Sequence, residues 1–484
     1  MNKITIVGGG TAGLASALIL RARFPSKEIN LIKSDKLGII GVGEGSTEHW
    51  SQFMQLCDIS PIEVLKECDA TLKLGVMFKD WKDKPYFHSV SDIHTQQKFG
   101  QYQAVFGEFI NSNTSSMDMV EQVFHNNEIP VDIEHNFRAN QFHLNTFKLN
   151  EFLIKKCNER NITIINDEIM RVFFADEQIT ELVGSQGTKY QSDFWIDCTG
   201  FKRLLISKLG AKWQSYKEHL ILNHAIAFPT DDTDNYNVYS LSKAMKYGWM
   251  WRVPVYGRWG NGYIFDDTCI DAEQAQKEVE EYLGYKVNIF KDIKFDPGAL
   301  DKVWIKNCMA VGLSANFMEP LEASSIGTSL NQMFMLMHVL ENHTQQDIDD
   351  FNNKMKDIMN NVRDFVFVHY MLDRQDTEFW QKVSKIEPPE TLKKNLAKWK
   401  YRLPIREDFK GTDYHLFFEY NWASVLHGIG LFDTDSIKKE YNSYNEIWKQ
   451  DIKREISNWK NSQNTQYISH KEFLTKVRNE NSIS

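Results

Sequence analysis

Residues 3–25, KITIVGGGTAGLASALILRARFP, decide the fold. Ile4, Ile6 and Val7 make a short buried strand. Gly8, Gly10 and Gly13 follow with G-x-G-x-x-G spacing. Ala12, Leu14, Ala15, Ala17 and Leu18 then continue as the apolar face of a helix. A glycine triplet alone is a weak signal. One that leaves a strand and opens a helix has the context of dinucleotide binding. The glycines let backbone approach a pyrophosphate, and the helix N-terminus favours its negative charge. Gly8, Gly10, Thr11, Ala12 and Gly13 are therefore expected at a cofactor.

The second strand is expected in EINLIKSD, residues 28–35. About 20 residues past the glycines an acid normally holds the ribose hydroxyls. Lys33 and Ser34 stand there, followed by Asp35. Lys33 suits a 2′-phosphate, and hence NADP, or simply a solvated surface; Asp35 stays within reach of a ribose. GIIGVGEGST, residues 38–47, places Gly41, Gly43 and Gly45 around Val42 and Glu44. Such a run lets main chain pass close to a flat ligand. The plain alternative is a surface loop.

The chain has 484 residues, a length that suits about two to four domains. With 42% hydrophobic and 13% aromatic residues it is globular, and its 11 prolines argue against long linkers. A net charge of −9 and the lack of a basic run exclude a nucleic-acid binder. Six cysteines without a CxxC pair point to no metal site and no disulfide framework, so a reduced, cytoplasmic protein is expected. Met1 runs straight into the first strand, so no leader is expected, and without an apolar run of about 20 residues no membrane span is expected. A homo-oligomer is left open.

Further along, ATLKLGVMFKDW carries Lys73 in an apolar stretch, where a lysine ordinarily snorkels to the surface. FWIDCTG, residues 194–200, reads as a strand returning to the cofactor. GWMWRVPV, residues 248–255, sets Trp249 and Trp251 on one face of a strand ahead of Pro254, so the two indoles should form one flat wall. CMAVGL, residues 308–313, runs through Gly312 into FMEPLEASSIG, where Glu319, Glu322, Ser324, Ser325 and Ile326 gather at the start of a helix, with Pro320 suited to its first turn. Backbone amides there make an anion site; a glutamate also simply complements the dipole. From about residue 341 the chain turns helical and polar.

Taken in order, these segments resemble the flavin-dependent halogenases of the tryptophan-halogenase type, over roughly residues 3–380. GVGEGST is similar to the family's G-V-G-E-A-T loop, KLGVMFKDW to its lysine motif, and FWIDCTGF to its I-D-C-S-G-F strand. WMWRVP resembles W-x-W-x-I-P, and FMEPLEASSIG resembles F-x-E-P-L-E-S-T-G-I. HYMLDRQDTEFW is also family-like. The resemblance implies an α/β fold: an FAD-binding Rossmann-like module of the single-component flavin monooxygenase type, with a mostly helical substrate-side module. We divide the chain accordingly into residues 1–340 and a helical cap at 341–484.

The resemblance also implies chemistry. FADH2, delivered by a separate flavin reductase, reacts with O2, and a halide is oxidised to hypohalous acid that halogenates a small aromatic substrate. Lys73 and Glu322 fall on the catalytic pair. Gly8, Gly10, Thr11, Ala12, Gly13, Lys33, Ser34, Gly41, Val42, Gly43, Glu44, Gly312 and Ile326 fall on the cofactor site, and Ser324 and Ser325 on the halide site. Trp249, Trp251 and Pro254 fall on the barrier between flavin and substrate. Three departures stand out. Lys33 replaces the family's glutamate, and Ala323-Ser324-Ser325 replaces S-T-G, which reshapes the halide pocket in favour of the larger halides. DYHLFFEYNWASVLHGIGLF, residues 413–432, differs from the tyrosine-rich segment of free-tryptophan halogenases, so an indole, phenol or similar arene is expected instead. Trp422 and Phe418 either line that pocket or belong to the core. The competing readings are a flavin-dependent aromatic monooxygenase that uses NAD(P)H directly, supported by Lys33, and a flavin-bound scaffold without activity.

Overall fold

The computed structural model describes residues 1–39, 43–89, 102–114, 127–130, 141–231, 236–461 and 467–479. Gly41 and Val42 lie outside the described residues.

The opening segment forms the strand Lys3–Val7 and the helix Thr11–Arg23. The strand is the middle of a six-stranded sheet, in the order Trp304–Ile305, Cys308–Ala310, Phe194–Asp197, Lys3–Val7, Glu28–Lys33, Thr163–Asn166. All neighbours are parallel except the outermost pair at Trp304–Ile305. Parallel strands need covered faces and read as continuous apolar runs. Phe194, Trp195 and Ile196 are wholly buried, as are Ile4 and Ile6. Residues Gly13 to Leu20 are likewise buried without a polar face. The helix earns this by packing on the sheet, on helix Thr146–Glu159 and on helix Ser324–Val339.

A second, seven-stranded sheet runs Lys291–Lys294, His224–Thr230, Arg258–Phe265, Gly248–Val255, Ser240–Ala244, Gly75–Lys79, Tyr86–Ser89. It is antiparallel apart from the pairing of Ser240–Ala244 with Gly75–Lys79. Thus the lysine motif and the tryptophan motif share one sheet, a single strand apart. A small sheet ties this layer to the glycine loop: Phe142–Leu144 pairs with Glu44–Gly45 on one side and Thr71–Leu72 on the other.

Beyond residue 341 the long helix Gln345–Val368 starts at a Thr344–Asp347 capping box and is followed by a succession of shorter helices. The region is not purely helical. Tyr467–Ser469 is a strand and pairs with Glu128–Pro130. Among the described residues no helix is long and apolar enough to cross a membrane.

Candidate active site

The glycine triplet is used for contact. Gly8 has φ +125°, and a Cβ on it would lie 2.1 Å from the Cys198 carbonyl oxygen. A Cβ on Gly13 would lie 2.0 Å from the Gly8 carbonyl oxygen. Gly10 differs, with nothing within 4 Å of the Cβ position. The outer two glycines let strand and helix touch, and the middle one leaves a cradle open. No side chain caps the helix that starts at Thr11, so its first-turn amides stay available to an anion. These features open into a cavity of about 720 Å³, which Thr11, Ala12, Lys33, Ser34, Gly43 and Glu44 also line. The donor set and the open glycine fit a dinucleotide. Gly312 and Ile326 line the same cavity. At Gly312, φ is +66° and a Cβ would stand 2.7 Å from that of Ala12, so the loop can close on the helix start only as glycine.

Lys33 reaches the rim but is paired with Asp35, whose carboxylate also receives the Asn166 amide. The rim therefore carries an ion pair rather than an isolated cation. Glu44 is partly enclosed, and burial pushes its carboxyl up to about 7. Asp197 does not serve the cofactor. Its two oxygens accept from Thr199, Ser314 and the amides of Leu205 and Ile206, and so hold the turn that brings Cys198, Thr199 and Gly200 to the cavity.

Lys73 lines the same cavity. It does not snorkel: only 1% of it is exposed. Strand Phe142–Leu144 crosses over it, Lys73 N–H donates to the Gln141 carbonyl, and its Nζ donates to the Ser46 carbonyl at 2.8 Å. A Cβ on Gly45 would sit 3.4 Å from Nζ, so the glycine loop lies flat beside the amine. Burial lowers the ammonium pKa to about 8, against the opposing pull of Glu322 and Glu48.

Glu322 is 2% exposed and faces two imidazoles. His88 Nδ1 lies 2.9 Å from one carboxylate oxygen, and His369 Nε2 lies 3.2 Å from the other. The tautomer of His88 follows from its outer partner. Asn421 Oδ1 accepts from Phe418 N–H, which turns its amide nitrogen to His88 Nε2 at 3.2 Å. His88 thus carries its proton on Nδ1, towards the carboxylate. The Tyr86 hydroxyl meets His369 Nδ1 at 2.8 Å, while His369 Nε2 lies beside Glu322 without forming a hydrogen bond among the described residues. Burial pushes Glu322 up, but His88 and His369 more than offset it and hold the carboxyl at about 2.

Trp249 and Trp251 both line the cavity, but they do not form one flat wall. Their rings are 6.1 Å apart and inclined at 57°. Trp251 lies on Gly262 of the next strand, where a Cβ would come within 2.1 Å of the indole. Trp249 is fixed at its nitrogen, which donates to Glu319 at 2.7 Å; the Tyr370 hydroxyl bonds the same carboxylate oxygen. The other Glu319 oxygen meets no hydrogen-bond partner among the described residues, and burial pushes the carboxyl up to about 7. Pro254 does not line the cavity; its carbonyl accepts from the Thr71 hydroxyl at 2.7 Å.

The helix expected to start near Pro320 starts at Ser324. Ala323 takes a left-handed conformation, φ +54°, which bars the helix from reaching back to Pro320 and Glu322. Ser324 and Ser325 are its first two residues, and their amides are among the four that a helix leaves unpaired. Ser325 faces the cavity; Ser324 is buried behind it. Trp422 packs into the core against Phe365 and Trp399, while Phe418 lies under the Arg406 guanidinium at 3.4 Å. The reading of individual residues missed His88, His369, Tyr86 and Glu319's bond to Trp249. The hints were His88 alternating with Tyr86 on an apolar strand and His369 at the head of the family-like HYMLDRQDTEFW.

A dinucleotide cradle leading to a buried amine, with an ionised carboxylate near it, is the layout of a cofactor-dependent enzyme. The family model for "Tryptophan halogenase" matches residues 3–441. The chain is 27% identical over 477 residues to tryptophan 6-halogenase SttH of Streptomyces toxytricini, covering 89% of each chain. It is 23% identical to tryptophan 7-halogenase RebH of Lentzea aerocolonigenes, covering 89% of this chain and 90% of that one. The crystal structure of a tryptophan halogenase from Shewanella frigidimarina NCIMB 400 superimposes with a TM-score of 0.90 at 25% identity, covering 99% of this chain and 98% of that one. The chain belongs to the tryptophan halogenase family, as its motifs anticipated.

Proposed function

We propose that this enzyme uses FADH2 and O2 to oxidise a halide to hypohalous acid, and then halogenates an electron-rich aromatic substrate of indole or phenol type. The observation that carries the reading is the buried Lys73 amine in the wall of the cavity that the glycine cradle opens into. With its pKa lowered to about 8, it serves both as hydrogen-bond donor and as amine nucleophile. Reduced flavin bound in the cradle supplies, with O2, the oxidising equivalent; a separate flavin reductase delivers it. The amides of Ser324 and Ser325 offer the halide site. Lys73 holds the oxidised halogen by a hydrogen bond or as a haloamine. Glu322, kept ionised by its imidazoles, accepts the proton that the halogenated ring must lose. Trp249 and Trp251 keep the substrate from the flavin side, so the halide meets the oxidant first.

In this reading residues 1–340 carry the cofactor, and the helices from 341 onward close the substrate end. The departure of residues 413–432 from the tyrosine-rich segment of the free-tryptophan halogenases supports an arene other than free tryptophan. The ion pair of Lys33 with Asp35 weakens the case for NADPH used directly, and the family match does not favour it either.

The test is product mass spectrometry. The protein is incubated with FAD, a flavin reductase, NADH, O2 and catalase, and a panel of indoles, phenols and anilines is offered with chloride, bromide or iodide. A halogen mass shift that disappears in Lys73→Ala is expected. Oxygen added without halogen, or halogenation that survives Lys73→Ala, overturns the reading. With equimolar halides, brominated or iodinated product should exceed chlorinated product.

A further inference from the structure

Besides its pairing with strand Phe142–Leu144, the backbone next to Lys73 is held by a side chain from far along the chain. Lys73 N–H donates to Gln141 and Leu74 N–H to Val238 at 2.7 Å, both carbonyls. The Leu72 N–H finds no carbonyl. It donates to Nε2 of His470, 3.0 Å away and 398 residues along the chain. His470 is 1% exposed. Its Nδ1 donates to the Tyr236 carbonyl at 3.1 Å, and its own N–H to Asn127. A neutral imidazole satisfies both ring contacts only with its proton on Nδ1. His470 opens the helix His470–Asn479. At the other end of that helix, Arg478 pairs with Asp69 at 3.2 Å, donates to the Leu65 carbonyl at 3.0 Å and stacks on Tyr256 at 3.8 Å. Both ends of one helix therefore bear on residues 65–72, the segment that leads into Lys73.

A leucine or phenylalanine would fill such a site without any polar partner. A buried imidazole with both nitrogens engaged supplies an acceptor where the ladder has none. The family model ends at residue 441, so this contact lies outside it.

We propose that His470 is a positioning residue for Lys73: through Leu72, the helix His470–Asn479 sets where the lysine amine stands and hence how oxidised halogen passes to the substrate. The inference rests on the role assigned to Lys73 above. Flavin binding, carried by the glycine cradle, is independent of it.

The test uses the full chain. His470→Phe keeps ring volume and removes the acceptor. His470→Gln returns an acceptor and a donor. Arg478→Leu loosens the other end of the helix, and Lys476→Ala, in an exposed pair with Glu472, is the control. Three quantities are read: kcat and KM for the arene, oxidised halide captured by a soluble trap, and flavin affinity. His470→Phe is expected to lower kcat by about ten- to a hundred-fold, the scale of an ångström's misplacement. KM and flavin affinity should stay within about two-fold and the trap should still collect oxidised halide, because only the transfer step loses its geometry. His470→Gln should recover most of kcat.

Wild-type kcat in His470→Phe overturns the proposal. So does a joint loss of kcat and flavin affinity that His470→Gln does not rescue, since that marks a merely structural helix. If His470→Phe does not fold, Arg478→Leu decides by the same criteria. Lys73→Ala runs alongside: if it still halogenates, the role of Lys73 itself falls. If it is dead while His470→Phe is fully active, only the role of His470 falls.

Discussion

Lys73→Met should stabilise the protein at pH 7 while abolishing halogenation. Holding an ammonium pKa at about 8 instead of 10.5 costs the charged form about 3 kcal/mol, at about 1.4 kcal/mol per pH unit. Methionine matches the length of the stem and removes the charge. It also forfeits the bond from Nζ to the Ser46 carbonyl, a loss of about 1 kcal/mol. The expected gain is therefore about 2 kcal/mol. Its pH dependence has a fixed sign. Between pH 8 and 10.5 the unfolded chain binds a proton that the folded chain has released, so wild-type stability rises with pH across that window. The advantage of Lys73→Met must shrink over the same range and turn into a small deficit by about pH 10.5, where the lost hydrogen bond remains. Urea denaturation of both proteins without flavin, at pH 7 and at pH 10.5, measures this. A variant less stable than wild type at pH 7, or a gain that does not change with pH, refutes the view that the site holds a charge at a cost.

Three other expectations follow from the same geometry. Glu319→Gln keeps an acceptor for Trp249 and Tyr370 without the ionisation, so the fall in wild-type stability between pH 4.5 and about 7, which Glu44 shares, should become shallower in thermal melts; Glu319→Leu should lose about 1–3 kcal/mol for each donor left unpaired. His88→Phe and His369→Phe each remove an imidazole that holds Glu322 at about 2, so the acid limb of the kcat–pH profile should rise by about one pH unit or more; an unmoved limb would remove Glu322 from the proton transfer. Gly10→Ala should fold normally but bind FAD about ten-fold more weakly, because its methyl enters the cradle. Gly13→Ala should instead lose about 1–3 kcal/mol of stability against the Gly8 carbonyl, and flavin fluorescence titration beside a thermal melt separates the two.

The parts of the site that are local in sequence were legible as motifs. Strand, glycine turn and helix over residues 3–23 follow one another within a single stretch, and the spacing of Gly8, Gly10 and Gly13 has one structural use. Whether Lys73 lies inside or outside was not legible from its apolar neighbours, because what buries it comes from elsewhere: the strand at Phe142–Leu144, the carbonyl of Val238 and the ring of His470. The histidines around Glu322 come from a strand at residue 88 and the end of a helix at residue 369, and nothing in the sequence says that they meet. Alternation put Trp249 and Trp251 on one face, yet the tilt between them depends on Gly262 in the next strand. Proline at a helix start misled at Pro320, because the positive φ of Ala323 sets the boundary instead.

Gly262 has an evolutionary consequence. Its missing side chain is the space that Trp251 occupies, so the two positions cannot drift separately. Any larger residue at 262 must push the indole towards the cavity or wait for a smaller residue at 251. Within a set of related sequences the two columns should covary, with bulk traded from one to the other. A library that aims to reshape this end of the cavity should vary them as a pair, since enlarging residue 262 alone meets a clash and shrinking residue 251 alone leaves a void.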